Sequence, residues 1–246
     1  MRIGLLITCL VDGMFPDVAA DTVTVLRRLG HEVEVPAAQT CCGQMHVNTG
    51  YPRQAVPLVR RYVETFSEFD AVVAPSGSCI GSVRHQHADV AGQVGDERLA
   101  TAARELATRS YELSELLVDV LGVTDVGASY PHRVTYHPTC HSLRMLRVGE
   151  KPLQLLRAVQ DIDLVELPDA ESCCGFGGTF ALKNSDVSAA MLADKLDRVA
   201  ETGARRLCAS DSSCLMHLGG GLSRRTGSLT ETVHLASILA STKDPS

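Results

Sequence analysis

The sequence predicts an α/β fold built as two pseudo-symmetric repeats, each a small, mainly parallel sheet flanked by helices. Two observations carry that expectation. Cys-Cys-Gly occurs twice, and each copy is centred in the same wider pattern: Cys9 stands 32 positions before Cys41, and Cys140 stands 33 before Cys173. Downstream, Cys79 follows Cys42 by 37 positions and Cys214 follows Cys174 by 40, so eight of the nine cysteines form two matched quartets. Short apolar runs also alternate with helical stretches in both halves, the pattern of βαβ units with parallel strands. Internal repetition of this kind fixes architecture and chemistry together. It places the two lobes at residues 1–128 and 129–246.

In the first half, residues 2–8 read as an apolar strand ending at Cys9. Residues 15–29 form a helix closed by Gly30, because glycine most easily takes the left-handed conformation of a C-cap. Residues 32–35 alternate in polarity, as a half-buried strand does, and lead to Cys41-Cys42-Gly43. A helix follows over 52–69, in which Pro52 suits the first turn and Pro57 predicts a kink or restart. Residues 70–74 are a third strand, and Pro75-Ser76-Gly77-Ser78-Cys79 is the turn beyond it.

The second half repeats the order. A strand over 133–137 runs into Cys140, and 142–159 is helical in two pieces broken near Gly149 and Pro152. Residues 163–167 form a strand before Cys173-Cys174-Gly175. An amphipathic helix covers 185–202, with Ser185 as its N-cap and Val187, Met191, Leu192, Leu196 and Val199 on one face. Gly203 stops it, 206–209 is a strand, and Asp211-Ser212-Ser213-Cys214 is the turn. Between the halves, 96–121 is expected to form one long helix bracing the lobes. Ligands of open α/β sheets gather beyond the carboxyl ends of the strands, where both quartets are expected to converge.

A net charge of −6 gives no electrostatic case for nucleic acid. No apolar run approaches the roughly 18 residues of a membrane span. Arg2 and the apolar residues after it loosely imitate a secretory signal, but Asp12, Pro16 and Asp17 interrupt it, and the same strand recurs at 133–137. The expectation is a cytoplasmic protein. In that compartment cysteine clusters mean metal or redox chemistry more often than disulfides.

Soft thiolates select iron–sulfur clusters, zinc or copper(I). Four per site match a [4Fe–4S] cluster or a structural zinc. Zinc sites usually take closely spaced cysteine pairs aimed at one ion. Each half here offers an adjacent pair and two isolated cysteines. Adjacent side chains diverge, which suits different irons of an extended cluster. The reading is up to two [4Fe–4S]-type clusters, with zinc as the alternative occupant. The ligands are Cys9, Cys41, Cys42 and Cys79 in one site, and Cys140, Cys173, Cys174 and Cys214 in the other. Gly43 and Gly175 would turn backbone N–H groups toward sulfur.

Cys208 has no counterpart in the first half and reads as a buried apolar residue. His46, His137, His141 and His217 neighbour the motifs. Each could ligate iron, bond a cluster sulfur, handle a proton or simply close a loop. Ser76 and Asp211 stand where a C-x-x-C would place a further cysteine; either could supply an oxygen ligand or leave an iron open, but the favoured reading is that both cap the helices that follow.

Several longer stretches carry a family resemblance. They are Thr8-Cys9-Leu10-Val11-Asp12, Gln39-Thr40-Cys41-Cys42-Gly43-Gln44, Asn48-Thr49-Gly50-Tyr51, Ser76-Gly77-Ser78-Cys79, Tyr136-His137-Pro138-Thr139-Cys140-His141, Cys173-Cys174-Gly175-Phe176-Gly177-Gly178-Thr179-Phe180 and Cys214-Leu215-Met216-His217. Over nearly its whole length the chain resembles the lactate utilization protein A family. That family belongs with the cysteine-rich repeat proteins that include a heterodisulfide reductase subunit and the iron–sulfur subunits of glycolate oxidase and anaerobic glycerol-3-phosphate dehydrogenase. The resemblance implies an iron–sulfur subunit of a multi-component system oxidising L-lactate to pyruvate. It further implies electron transfer through cysteine-ligated clusters, and activity only with a ferredoxin-type iron–sulfur subunit and a third subunit.

The eight quartet cysteines carry the family's ligand role. Heterodisulfide reductase has a further cysteine in each repeat, where Ser76 and Asp211 stand here, so its cluster geometry and disulfide cleavage do not carry over. The residues leave open a thiol–disulfide reductase, a glycolate-oxidising subunit and a zinc-stabilised scaffold. His141 and Arg144 are the candidates for holding lactate, as base for its hydroxyl and cation for its carboxylate. Gly177-Gly178 and Gly219-Gly220-Gly221 lack the G-x-G-x-x-G arrangement, so no dinucleotide is expected.

Overall fold

In the computed structural model, which describes residues 1–243, each half of the chain folds around its own four-stranded parallel sheet. The chain divides into two units, Met1–Leu116 and a second beginning at Leu117. In the first, β1 (Arg2–Leu5), β2 (Glu32–Glu34), β3 (Ala71–Ala74) and β4 (Ser110–Glu112) lie in the order β2-β1-β3-β4. Ile3 pairs with Val33 on one side and Ala71 on the other. Strand β3 is buried at every position, as expected of a central parallel strand covered on both faces.

The helices of this unit are α1 (Cys9–Met14), α2 (Pro16–Arg28), α3 (Gln44–Asn48), α4 (Pro52–Phe66), α5 (Gly77–His85), α6 (His87–Gly92), α7 (Glu97–Ala107) and α8 (Leu113–Glu115). Helix α2 starts on Pro16 and stops at Gly30, whose φ is +84°. Ala55 and Val59 of α4 pack with Val90, Ala91, Leu99, Ala100 and Ala103 of the α6–α7 region. Phe66 of α4 presses so closely on β1 that a Cβ at Gly4 would lie 2.9 Å from its ring.

Two expectations fail here. Helix α4 does not restart at Pro57 but continues through it, with Ala55, Val59, Tyr62 and Phe66 filling the buried face. Residues 96–121 are not one helix: α7 ends at Ala107, β4 follows, and α8 continues into a π-helical turn, Leu116–Val120. The apolar repeat Leu99, Leu106, Leu113, Leu117 imitates a helix across what is a three-residue edge strand.

The second unit repeats the plan with β5 (Arg133–Tyr136), β6 (Asp163–Val165), β7 (Arg206–Ala209) and β8 (Glu231–His234) in the order β6-β5-β7-β8. A π-helical segment, His141–Leu146, precedes α9 (Lys151–Arg157), α10 (Phe180–Lys183), α11 (Ser185–Glu201), α12 (Ser212–Leu222) and α13 (Leu235–Ala240). The break between His141–Leu146 and α9 falls at Arg147 and Gly149, both at positive φ. Asn184, not Ser185, is the N-cap of α11. Its N–H closes α10 on Phe180 O and its carbonyl opens α11, which leaves Ser185 in the first turn. Strand β8 has no counterpart among the expected elements.

Glu112, at the end of β4, is fully buried. Its Oε2 accepts from the Ser114 N–H at 2.8 Å and from the Ser114 hydroxyl, and Glu115 completes a capping box by accepting from the Glu112 N–H. Its Oε1 has no partner among the described residues. Burial pushes the carboxyl up from 4.5 to about 7. The folded state therefore holds a proton that the unfolded chain releases, and this contribution to stability disappears as pH rises from 4.5 through 7. Glu112→Gln is expected to remove that decline, which is on the order of 3 kcal/mol. Urea unfolding of both proteins at pH 5 and pH 8 measures it, and an identical pH response in the two would contradict it.

Candidate metal centre

Each quartet of cysteines lies where three parallel strands of its unit end. Cys9 follows β1, Cys41 and Cys42 follow β2, and Cys79 lies just beyond β3; Cys140, the Cys173–Cys174 pair and Cys214 follow β5, β6 and β7 likewise. All nine cysteines are free. In the first unit the side chains interact in a row, Cys9 with Cys41, Cys41 with Cys42, and Cys42 with Cys79. The second unit has the same row, Cys140 to Cys173 to Cys174 to Cys214. Each row runs inward, from exposed Cys9 or half-buried Cys140 to buried Cys79 or Cys214. Cys174 and Cys214 belong to the apolar core with Leu167, Leu196, Val199, Leu207 and Leu218. Cys208 is fully buried in β7, outside the row.

One sulfur in each row is pushed toward the thiolate. Cys41 is pushed far below the ordinary thiol range by hydrogen bonds from Cys42 and Cys9, and Cys173 by bonds from Cys140 and Cys174. Their partners are pushed up: Cys9 by the bond to Cys41, and Cys140 by the bond to Cys173. A glycine N–H reaches each thiolate, Gly43 to Cys41 at 3.5 Å and Gly175 to Cys173 at 3.4 Å. That aim requires left-handed backbone, with φ of +84° at Gly43 and +91° at Gly175.

Alanine at either glycine incurs roughly 1–2 kcal/mol of backbone strain. Only at Gly175 does the added Cβ also collide, 2.6 Å from the Ser188 carbonyl oxygen; at Gly43 the nearest atom is Ala55 Cβ at 3.4 Å. Gly175→Ala is therefore expected to destabilise by about 1–3 kcal/mol more than Gly43→Ala. Thermal unfolding of the two variants decides this, and equal losses would contradict it.

Ser76 and Asp211 cap helices, as expected. Ser76 Oγ accepts from the Cys79 N–H at 3.3 Å, and Asp211 Oδ1 accepts from the Ser213 N–H at 3.1 Å. Arg144 is exposed and donates to the Glu171 carbonyl at 3.2 Å, tying the Cys140 segment to the loop before Cys173. His141 is half-buried at the start of its π-helical segment. His46 lies on α3, and its charge helps hold Cys41 down. His217 sits on α12 with Nε2 3.5 Å from Ser188 Oγ.

His137 is different from these. It is fully buried, neither ring nitrogen has a partner among the described residues, and a ring nitrogen lies within 4.8 Å of the sulfurs of Cys174 and Cys214. Burial, followed by the nearby Lys195 charge, lowers its pKa to about 4.

Two residues near the rows are not among the sequence-predicted candidates. His87 Nε2 lies 2.8 Å from the Cys42 carbonyl, and this buried ring stands edge-on to Tyr62. Nothing in the repeat pattern marks it. Lys195 is 1% exposed and donates to the carbonyls of Asp169 and Ala170 at 2.7 and 3.1 Å. Its charge acts on Cys174, Cys140 and Cys173. The sequence does carry a signal for Lys195: it falls one turn from Met191 and Val199, on the apolar face of its helix.

Comparison with known proteins agrees with this arrangement. The cysteine-rich CCG domain model matches residues 3–84 and again 134–219, once in each unit. The chain is 46% identical over 240 residues to lactate utilization protein A of Oceanobacillus iheyensis, covering 97% of this chain and 96% of that one. It is 42% identical to the protein of the same name from Bacillus pumilus and 41% identical to that from Bacillus subtilis, in each case over 98% of this chain and 100% of the other. The duplicated rows of thiols and this full-length likeness agree: the chain belongs to the lactate utilization protein A family of cysteine-rich CCG-domain proteins.

Proposed function

We propose that the chain is the iron–sulfur subunit of a multi-component system that oxidises L-lactate to pyruvate. The observation that carries this reading is the duplicated four-thiol row, in a chain so similar to proteins called lactate utilization protein A. The donor set fits iron and sulfide. Sulfur is the soft ligand such clusters take, and in each row the adjacent pair bonds to different neighbours, as ligands spread over more than one metal would. Cys9, Cys41, Cys42 and Cys79 would hold one cluster, and Cys140, Cys173, Cys174 and Cys214 the other.

Bound clusters supply one-electron redox chemistry, and two of them match the two electrons that lactate oxidation releases. The chain's own residues set the conditions for it. The inner thiols lie in apolar core, which excludes water, while the outer thiol of each row is accessible to a partner. The Gly43 and Gly175 N–H groups offset negative charge on sulfur. Among the described residues no helix is long and apolar enough to cross a membrane. A ferredoxin-type iron–sulfur subunit and a third subunit are the partners this reading requires.

The test is reduction by substrate. The cluster-loaded chain is assembled without oxygen with those two subunits, and L-lactate is added. Bleaching of the visible cluster absorbance with pyruvate formation is expected. Clusters that respond only to glycolate or to a heterodisulfide would overturn the lactate assignment.

A further inference from the structure

The two rows are not equivalent, and the difference lies at the first residue beyond the first strand of each sheet. Leu6 donates its N–H to Val73 O at 2.8 Å, and His137 donates its N–H to Cys208 O at 2.8 Å, so they occupy matching places in the two units. Both are buried. Leucine fills its place without polar atoms. Histidine brings two ring nitrogens into the same apolar position, and the protein satisfies neither.

We propose that His137 is a nitrogen ligand of the second centre, at the place where the first unit has Leu6. The inference rests on the metal-binding reading of the thiol rows. His137, Cys174 and Cys214 offer one ligand atom each, all within 4.8 Å of one another. Donor atoms around a single tetrahedral ion lie about 3–4 Å apart, given metal bonds of about 2.0–2.3 Å, so a small contraction closes the set on one metal. Buried polar groups in native proteins nearly always have partners, and a metal is the partner that these neighbours imply. A neutral imidazole with an open lone pair suits iron in a thiolate site, and zinc equally. The second centre would then have a mixed sulfur and nitrogen donor set.

The experiment uses the full-length chain labelled with ¹⁵N-histidine and carrying Cys41→Ser and Cys42→Ser, so that only the second centre reports. It is loaded anaerobically with ferrous iron and sulfide, reduced, and examined by pulsed electron paramagnetic resonance. The expected result is a hyperfine coupling from directly bound nitrogen, which His137→Leu abolishes. Leucine is the solution the first unit already uses at this place, so the variant is expected to fold. It should surrender iron to a chelator at least about tenfold faster, the usual scale for weakening a metal's coordination. Bound iron with no histidine coupling in the unsubstituted His137 chain would overturn the proposal while leaving the thiol rows as ligands. A chain that binds no iron in either row would remove the parent reading, and this inference with it.

Discussion

Replacing Cys173 and Cys174 together by serine is expected to halve the iron and labile sulfide of the anaerobically loaded chain. The reason is their place in the row. Cys173 is the thiol that Cys140 and Cys174 push toward the thiolate, and Cys174 interacts with both Cys173 and Cys214, so the double change leaves only two of the four thiols. The first unit has its own sheet and its own quartet, and nothing in its row depends on these residues. Cys41→Ser with Cys42→Ser should remove the complementary half. The serine at 174 also places a hydroxyl in apolar core, a loss of roughly 1–3 kcal/mol that leaves the fold intact at room temperature. Iron analysis, sulfide assay and visible absorbance give the answer. A double variant that keeps its full iron would show that the second row holds none.

The second large effect is expected at Lys195. Its ammonium is buried, bonds two backbone carbonyls and acts on three thiols of the second row. Methionine matches its length and apolar stem but leaves the Asp169 and Ala170 carbonyls without their charged donor. Loss of a charged hydrogen bond of this kind destabilises by about 1.5–3 kcal/mol. The same change removes a positive charge that favours the reduced, more negative state of any cluster beside it, so the reduction potential of the second centre should fall. Twelve residues after Gly43 stands Ala55, and thirteen after Gly175 stands Ser188; carrying that alignment forward pairs Lys195 with Tyr62, a neutral residue bonded to Ser110. Lys195→Met leaves the first centre's own residues unchanged, so its potential serves as the internal reference. Redox titration of Lys195→Met against the unsubstituted chain checks the direction. An unchanged or higher second potential would contradict it.

The repeat, the parallel strands and the convergence of each quartet beyond the strand ends are legible in the amino-acid sequence alone. The reason is that they depend on spacing and on short apolar runs, which the one-dimensional pattern records faithfully. Strands β4 and β8 are not. Ser110-Tyr111-Glu112 is a three-residue edge strand inside a stretch whose leucines recur at helical spacing, and pairing with Val72, Val73 and Ala74 decides its conformation. Tertiary pairing there overrides local propensity. Pro57 misleads for a related reason. Proline removes one helical hydrogen bond, here the one to the Arg53 carbonyl, and the buried face of Ala55, Val59, Tyr62 and Phe66 carries the helix past that loss.

Within the site, the cysteines are legible because their residue type carries the chemistry. His137, Lys195 and His87 are harder. Their significance lies in burial and in unmet or unusual partners, which composition does not record. The motifs mark His137 only as one of four neighbouring histidines. What separates it from His46, His141 and His217 is a fully buried ring with neither nitrogen partnered among the described residues; His46 shares that lack only at Nδ1.

Mössbauer spectroscopy of the ⁵⁷Fe-loaded chain, prepared without oxygen and with its labile sulfide quantified, bears most directly on the central claim. The account predicts iron in thiolate-ligated iron–sulfur clusters, with two spectral components that the serine variants of the two rows remove separately. A colourless protein containing zinc, without labile sulfide and without iron quadrupole doublets, would contradict it.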